Sequence, residues 1–427
     1  MKIDYPNLAV YVFKHKATGL PDLYISADEW RRLTTAYRVP QLTRALWRVV
    51  TEHNIRPPMT TITPSQAAQQ LGPRLRADRQ ALRALNIDSL LQRADGRAVW
   101  RTNDKGKDLV PTWCIKPSSV GMGCSAPFHN AQRAQVSTHR FKSLVEHWND
   151  RRLFKMSARM LVTSSLMASK AITAKTIETA INLRGGYIAS QFRPATAKAV
   201  YELFGGGDVL DTSAGWGDRL AAAACSPSVK SYRGLDPNPN LAEGYAAQIK
   251  AYRGFGVTKP LWVQCVRAEK WKTHQWFNLL FTSPPYFDTE RYSDHPDQSW
   301  RRYQTLHSWL YDFLFVTLRT AWNALYHEGY MLVNLSDLGK ILAPGSPSLC
   351  REVVNHVNGT FPEAHFMGVL GMRLGTRPGT SIVKSQDKRR TLFCEPIFVW
   401  RKGGKPITLD QHILAYLDRH SVFNALL

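Results

Sequence analysis

The sequence predicts an α/β fold for residues 185–427, in which a mostly parallel sheet is covered by helices on both faces. Short apolar runs that are typical of strands alternate there with longer segments that are typical of helices. Turn-forming glycines and prolines stand beside several of these runs. In a sheet of this kind, ligands bind beyond the carboxyl ends of the strands.

Each strand is predicted from a short apolar run rich in β-branched or aromatic residues. In chain order, the predicted strands are 208–211, 232–236, 261–266, 277–281, 330–335, 365–370 and 397–400. The main predicted helices between them are 220–225, 241–252 and 303–325. The alternation of the two patterns is what predicts parallel strands joined by helical crossovers.

The 427 residues are enough for more than one domain, and the texture of the sequence changes twice. We expect a basic N-terminal region of mixed or helical structure at 1–112, a mainly helical basic segment at 113–184, and the α/β domain at 185–427. In the helical segment Phe141, Leu144, Val145 and Trp148 recur at the spacing of one helix face.

The formal net charge is +23 with a pI near 9.9, and most of the excess lies in the first half of the chain. Residues 1–200 hold 31 Lys and Arg against 13 Asp and Glu, whereas residues 201–427 hold 25 against 20. A solvated basic surface explains part of such an excess. Its size favours a polyanionic partner, of which nucleic acid is the most common.

Two features of the sequence bear on cellular location, namely the length of its apolar runs and the spacing of its cysteines. No apolar run approaches the roughly 20 residues that span a bilayer, so we expect a soluble, cytoplasmic protein with no membrane partner. The six cysteines include no closely spaced pair, and we predict reduced, mostly structural thiols and no metal site.

The segment Ser283-Pro284-Pro285-Tyr286 directly follows the apolar run 277–281. Proline has no amide hydrogen and a restricted φ, so it stops a strand and leaves carbonyl groups without a strand partner. A rigid turn with a hydroxyl group, carbonyl oxygens and an aromatic ring is suited to gripping a planar group that carries an amine. A simple loop over packed aromatic residues is the alternative.

A second motif follows the strand that ends at Asp211, where Gly215 and Gly217 allow a tight turn into a helix. The next strand ends at Asp236, and a carboxylate at that position is typical of ribose binding in βαβ units. Leu220 occupies the third position of the dinucleotide fingerprint. The pattern therefore favours an adenosine ligand without a pyrophosphate, such as S-adenosylmethionine, over a dinucleotide.

Together the two motifs resemble those of the S-adenosylmethionine-dependent DNA amino-methyltransferases, which methylate the exocyclic amine of adenine or cytosine. The resemblance covers roughly residues 185–402 and implies the class I methyltransferase, Rossmann-like fold. It implies catalytic roles for Ser283, Pro284, Pro285 and Tyr286. The cofactor-binding residues that it implies are Phe192, Arg193, Asp211, Ser213, Ala214, Gly215, Trp216, Gly217, Asp236 and Glu269.

The resemblance also implies that the target base is flipped out of DNA and stacked on Tyr286. RNA bases and protein amides remain alternative substrates, and a nucleic-acid-binding protein that keeps the fold without turnover is a further alternative. Target recognition is expected within residues 1–180 or in long loops. The candidate phosphate contacts are Arg151 and Arg152, with Arg377, Lys388, Arg389 and Arg390 in the turn between the last two strands.

Overall fold

A computed structural model of the chain describes residues 5–100, 102, 107–138, 140–164, 167, 169–287, 289–337, 348–374 and 391–424. The chain forms two compact units, each built from several segments. The first unit comprises residues 1–72, 127–190 and 290–294, and the second comprises residues 73–126, 191–289 and 295–427.

The second unit is built on a ten-stranded sheet. In chain order its strands are β1 (Leu91–Arg93), β2 (Ala98–Val99), β3 (Trp113–Ile115), β4 (Gly207–Asp211), β5 (Val229–Asp236), β6 (Leu261–Cys265), β7 (Phe277–Thr282), β8 (Leu325–Asn334), β9 (Ala364–Arg373) and β10 (Leu392–Lys402). The order across the sheet is β6-β5-β4-β7-β8-β10-β9-β3-β1, and β2 pairs with β10.

The strand directions confirm the predicted fold class. Strands β6, β5, β4, β7 and β8 are parallel to one another, and β10 is antiparallel to both β8 and β9. If the seven strands β4 to β10 are numbered 1 to 7 along the chain, their order across the sheet is 3-2-1-4-5-7-6, and strand 7 runs in the opposite direction to the others. This is the class I methyltransferase, Rossmann-like arrangement, and all seven predicted strands are present in it.

Helices in the second unit join and cover these strands. They are Pro194–Leu203, Asp218–Cys225, Ala242–Gly254, Ser299–Arg302, Leu306–Ser308, Phe315–Asn323, Leu349–Thr360 and Leu409–Asn424, with a π-helical turn at Trp309–Leu314. The predicted helix 303–325 is therefore interrupted by a π-helical turn. It is also shorter than predicted, because Leu325 pairs with Phe277 as a strand residue. The aromatic side chains of Trp309, Trp322 and Trp400 are buried in one core with β7 and β8.

The first unit is mainly helical. Its helices are Ala27–Ala36, Val39–Glu52, Leu144–Asn149, Arg151–Ala158, Met160–Thr163 and Ala174–Leu183, and short strands lie at Val12–Lys14, Pro21–Ile25, Ser137–Thr138, Ile172–Thr173 and Glu290–Arg291. Buried indole groups connect distant segments, since Trp30 donates to the Leu161 carbonyl (2.9 Å) and Trp148 to the Ile55 carbonyl (3.1 Å).

The unit boundaries differ from the sequence boundaries at 112 and 184. The helices Pro64–Ala84 and Met122–Arg133 each cross from one unit to the other. Strand β3 pairs with β9, so residues near 113 belong to the sheet. The strand Glu290–Arg291 pairs with Ser137–Thr138 in the helical unit. Long-range strand pairing of this kind leaves no local signal in the sequence.

Across the described residues, no helix combines the length and apolar character that crossing a membrane requires. The same residues contain no group of three or more His, Cys, Asp or Glu side chains placed to hold a metal ion.

Candidate active site

The loop after β4 turns sharply because two of its glycines adopt left-handed backbone conformations. Gly215 has φ +59° and Gly217 has φ +68°, values that residues with a Cβ rarely adopt. Gly217 is the N-cap of the helix Asp218–Cys225, so this helix starts immediately after the turn. Ser213 and Gly215 are partly exposed, whereas Ala214 and Trp216 are buried.

A buried ion pair holds this loop. Arg219 donates to both carboxylate oxygens of Asp211, at 2.7 Å and 3.1 Å, and also to the Ser213 carbonyl. Asp211 accepts two further hydrogen bonds, from the Tyr232 hydroxyl (2.6 Å) and the Ser213 amide (3.1 Å). The Asp211 side chain is 0% exposed, and its carboxylate holds the loop through these four hydrogen bonds.

Arg219 stays charged in this apolar setting. Burial by itself would lower the pKa of the guanidinium, but the Asp211 carboxylate reverses this effect and leaves the pKa above its ordinary value. The guanidinium carbon lies 5.2 Å from the centre of the Phe192 ring, a cation–π contact. Phe192 in turn packs edge-to-face on Phe281 of β7, at 5.6 Å. Phe192 thereby contacts both the arginine that holds the glycine loop and strand β7.

Asp236 lies at the carboxyl end of β5 and contacts the glycine loop directly. Its Oδ2 accepts from the Gly215 amide (3.0 Å), and its Oδ1 accepts from the Asn238 amide (2.9 Å). The Tyr245 hydroxyl donates to the Gly215 carbonyl, so Gly215 is held on both of its peptide groups. Burial raises the pKa of Asp236 to about 6, in opposition to these two backbone hydrogen bonds.

Glu269 follows β6, the next strand along the same edge of the sheet, and is largely buried. Its Oε1 accepts a hydrogen bond from the Tyr303 hydroxyl at 3.0 Å. Burial and the Glu269 carboxylate together raise the pKa of Tyr303 to about 12. One carboxylate oxygen of Glu269 is therefore already positioned by the neutral phenol of Tyr303.

Polar side chains lie next to Phe192 and Arg193, two of the cofactor-binding residues that the resemblance implies. Gln191 donates to Asp218 (3.0 Å) and to Ser125 (3.2 Å), and Ser125 itself donates to Asp218. Arg193 is partly buried, which lowers the pKa of its guanidinium, and the Glu395 carboxylate acts in the opposite direction. A polar cluster thus adjoins the first turn of the helix Asp218–Cys225.

The two loops are joined at their roots. Strand β4 pairs with β7 in parallel, so the glycine loop and Ser283 leave the same edge of the sheet. Thr212, directly after β4, donates to the hydroxyl of Thr282, the last residue of β7 (2.9 Å), and both side chains are buried.

The tetrapeptide follows β7 without regular secondary structure and ends in a turn, in which the Phe287 amide donates to the Pro285 carbonyl at 3.0 Å. Ser283 is partly buried and donates to the Asn334 amide oxygen at 3.1 Å. Pro284 is buried, while Pro285 and Tyr286 are partly exposed. The next residue, Phe287, has φ +51°, an uncommon conformation for a bulky side chain. Backbone strain of this kind persists only where the surroundings hold it.

The predicted nucleic-acid contacts are only partly described. Arg151 and Arg152 are exposed and begin the helix Arg151–Ala158, which Asp150 caps through the amides of Arg152 and Leu153. Arg377, Lys388, Arg389 and Arg390 lie outside the described residues.

Three further residues of the site are not among those predicted from the sequence. Asn334 had a usable signal, because it is the second-last residue of the predicted strand 330–335 and therefore lies near the ligand-binding edge. Arg219 and Tyr245 had none, because only the tertiary structure brings their side chains to Asp211 and to Gly215.

Neither the protein-family models nor the curated proteins compared with the chain gave a match. Solved structures with a similar fold include an rRNA methylase from Streptococcus thermophilus, with 12% identity and a TM-score of 0.29 over 51% of this chain and 100% of that chain. TrmN from Thermus thermophilus has 14% identity and a TM-score of 0.31 over 49% of each chain. An S-adenosylmethionine-dependent O-methyltransferase from Thermotoga maritima has 11% identity and a TM-score of 0.31 over 51% of this chain and 68% of that chain.

At such low identities and TM-scores, these similarities do not identify a substrate. The fold assignment depends on the strand order and strand directions of this chain.

Replacing Arg219 by Met should leave the Asp211 carboxylate buried without its cation. We expect the free energy of unfolding to fall by about 3–5 kcal/mol, measured by urea denaturation. The matched control is the double variant Asp211→Leu/Arg219→Met, which removes both charges and should recover most of that loss. A single variant as stable as the wild type would contradict the structural role of the pair.

Proposed function

We propose that this protein transfers a methyl group from S-adenosylmethionine to the exocyclic amine of cytosine or adenine in DNA. The main observation behind this proposal is that the loop after β4 and the loop after β7 lie side by side and are connected by a hydrogen bond. A glycine turn suited to a nucleoside and a Ser-Pro-Pro-Tyr turn suited to an amine leave neighbouring parallel strands, and the Thr212–Thr282 hydrogen bond connects them.

The geometry of the glycine loop supports an adenosine-type cofactor. A Cβ built on Gly215 would meet only the Ser213 carbonyl, at 3.7 Å, so the loop is open on its ligand side and glycine is required by φ alone. Asp236 would accept hydrogen bonds from ribose hydroxyls, and Glu269 would contact the adenine ring. Phe192 and Arg193 would hold the methionine end.

When bound, S-adenosylmethionine would supply an electrophilic methyl group and would leave as S-adenosylhomocysteine, and the methylated nitrogen would lose one hydrogen as a proton to water. The exocyclic amine of a base is a weak nucleophile because its lone pair is delocalised into the ring. The Ser283 hydroxyl oxygen and the Pro284 carbonyl would accept its two hydrogens, which draws the nitrogen toward tetrahedral geometry and directs its lone pair. Holding the reactants in this near-attack geometry supplies most of the rate, without a strong base.

A base within duplex DNA must leave the helix to reach this turn, at a cost of a few kcal/mol. Tyr286 is partly exposed beside the turn and packs against the large core around Trp309. A ring anchored in this way would stack on the flipped base, and stacking of this kind contributes about 1–3 kcal/mol.

The helical unit supplies a basic surface for the phosphate backbone. Arg151, Lys155 and Arg159 follow one another at intervals of four residues along one side of the helical segment 151–163, and Arg152 lies beside them. Met156 on the same helix is 46% exposed, and Phe141 in the same unit is 48% exposed. A helix that carries these cations together with an exposed methionine supports a nucleic-acid contact more than a purely solvated face does.

The proposed reaction is tested by expressing the protein, digesting host DNA and RNA to nucleosides and measuring methylated bases by mass spectrometry. We expect N4-methylcytosine or N6-methyladenine in DNA. Tyr286→Ala should lose most of this product while S-adenosylmethionine binding, followed by calorimetry, is retained. Methylated RNA with unmodified DNA would favour the RNA alternative, and absence of cofactor uptake would favour a non-catalytic binding protein.

Cofactor affinity should depend on pH through Asp236. The ionised carboxylate is the stronger acceptor for ribose hydroxyls, and its pKa of about 6 means that protonation begins near neutral pH. We therefore expect the affinity for S-adenosylhomocysteine to weaken as the pH falls below about 6, and calorimetry between about pH 7.5 and about pH 5 checks this. Asp236→Asn should bind more weakly, with a flat profile over the same range. An equal pH dependence of the affinity in the wild type and in Asp236→Asn would rule out Asp236 as the group whose protonation weakens binding.

Charge reversal in the helical unit should weaken DNA binding. For Arg151→Glu/Arg152→Glu we expect a lower affinity and a shallower dependence of log K on log salt, by about one unit for each phosphate that is no longer neutralised. The matched control, Arg31→Glu/Arg32→Glu, makes the same charge change at exposed residues on another helix of this unit. If both variants changed the salt dependence equally, the effect would come from the net charge of the protein and not from a local contact of Arg151 and Arg152 with DNA.

A further inference from the structure

Asn334 is a buried polar residue beside the Ser-Pro-Pro-Tyr turn. It ends strand β8 and is only 1% exposed. Its side-chain amide bridges two groups, because Nδ2 donates to the Pro396 carbonyl at 2.9 Å and Oδ1 accepts from the Ser283 hydroxyl at 3.1 Å. This amide therefore connects the tetrapeptide to strand β10.

The orientation of the Asn334 amide follows from its partners. A carbonyl oxygen only accepts hydrogen bonds, so the Pro396 carbonyl requires the NH₂ group to face it. The amide oxygen must then face Ser283, and only the hydroxyl hydrogen of Ser283 can satisfy it. The backbone amide of Leu335 also points to the Pro396 carbonyl, at 3.4 Å, which fixes that carbonyl beside β8.

This arrangement determines what Ser283 offers to a substrate. A serine hydroxyl has one hydrogen and two lone pairs. With the hydrogen donated to Asn334, only lone pairs remain for a ligand. A substrate group that donates N–H hydrogens is matched by these lone pairs, whereas a keto oxygen at the same position meets an acceptor and forms no hydrogen bond.

We propose that Asn334 is a positioning residue that fixes the Ser283 hydroxyl as an acceptor and so makes the site select amino bases over keto bases. The inference rests on the proposed function. Cytosine and adenine present an exocyclic amine, whereas thymine, uracil, guanine and hypoxanthine present a keto oxygen at the equivalent ring position. Leaving polar groups unpaired in a buried site is an effective way to reject such analogues.

The first test is a double-mutant cycle on the single-turnover methylation rate. Asn334→Leu replaces the amide by an apolar group of similar shape and should slow methylation about tenfold, as expected for one hydrogen bond of about 1.4 kcal/mol. In a Ser283→Ala background the same substitution should have almost no further effect. If Asn334 acted through protein stability alone, Asn334→Leu would slow methylation by the same factor in the wild-type and Ser283→Ala backgrounds. That result would overturn the inference.

The second test measures base discrimination directly. Oligonucleotides that carry either the methylated base or its keto counterpart (uracil for cytosine, hypoxanthine for adenine) are compared as competitors. The wild type should prefer the amino base. In Asn334→Leu this preference should weaken, because the Ser283 hydroxyl becomes free to rotate and donate while the Pro284 carbonyl still accepts from an amine.

Asn334→Asp is the matched control, since either protonation state keeps an oxygen that accepts from Ser283. It should retain the preference for the amino base even if it is less stable, with folding followed by thermal unfolding and cofactor titration. Unchanged discrimination in Asn334→Leu would overturn the inference while leaving the proposed function intact. A wild-type protein that methylates no base would overturn both.

Discussion

The buried pair between Asp211 and Arg219 is the interaction on which the site depends. Two opposite charges are stable in the core only when both are paired and hydrogen-bonded, and here the carboxylate accepts four hydrogen bonds. The pair bridges the end of β4 to the helix that follows the glycine turn. It also supports the Phe192 ring, so three segments of the proposed cofactor site share one electrostatic anchor.

Parallel strands then bring the remaining groups to one edge. Asp236, Glu269, Ser283 and Asn334 each lie at or just beyond the carboxyl end of a strand in the run β5, β6, β7 and β8. Hydrogen bonds connect the ends of neighbouring strands, since the Gly215 amide donates to Asp236 and the Thr212 hydroxyl donates to Thr282. These bonds limit the relative motion of the loops. A site that depends on positioning, with no strong base, requires such rigidity.

Much of this unit could be predicted from local pattern. Apolar runs mark the strands, Gly215 and Gly217 mark the turn because few other residues adopt its conformation, and Pro284 and Pro285 mark the end of β7 because proline cannot donate to a sheet. The unit boundaries could not be predicted, since β3 joins the sheet and Glu290–Arg291 joins the helical unit through pairings between residues far apart in the chain.

The sequence by itself determined the α/β class, the two motifs and their order, because each depends on the conformational limits of a few residues. Only the tertiary structure decided what each polar group does. It placed Asp211 inside the core as a support for the loop, and it placed Asn334 between Ser283 and Pro396. Hydrogen-bond polarity arises from which groups meet across strands, and that information is absent from any single stretch of chain.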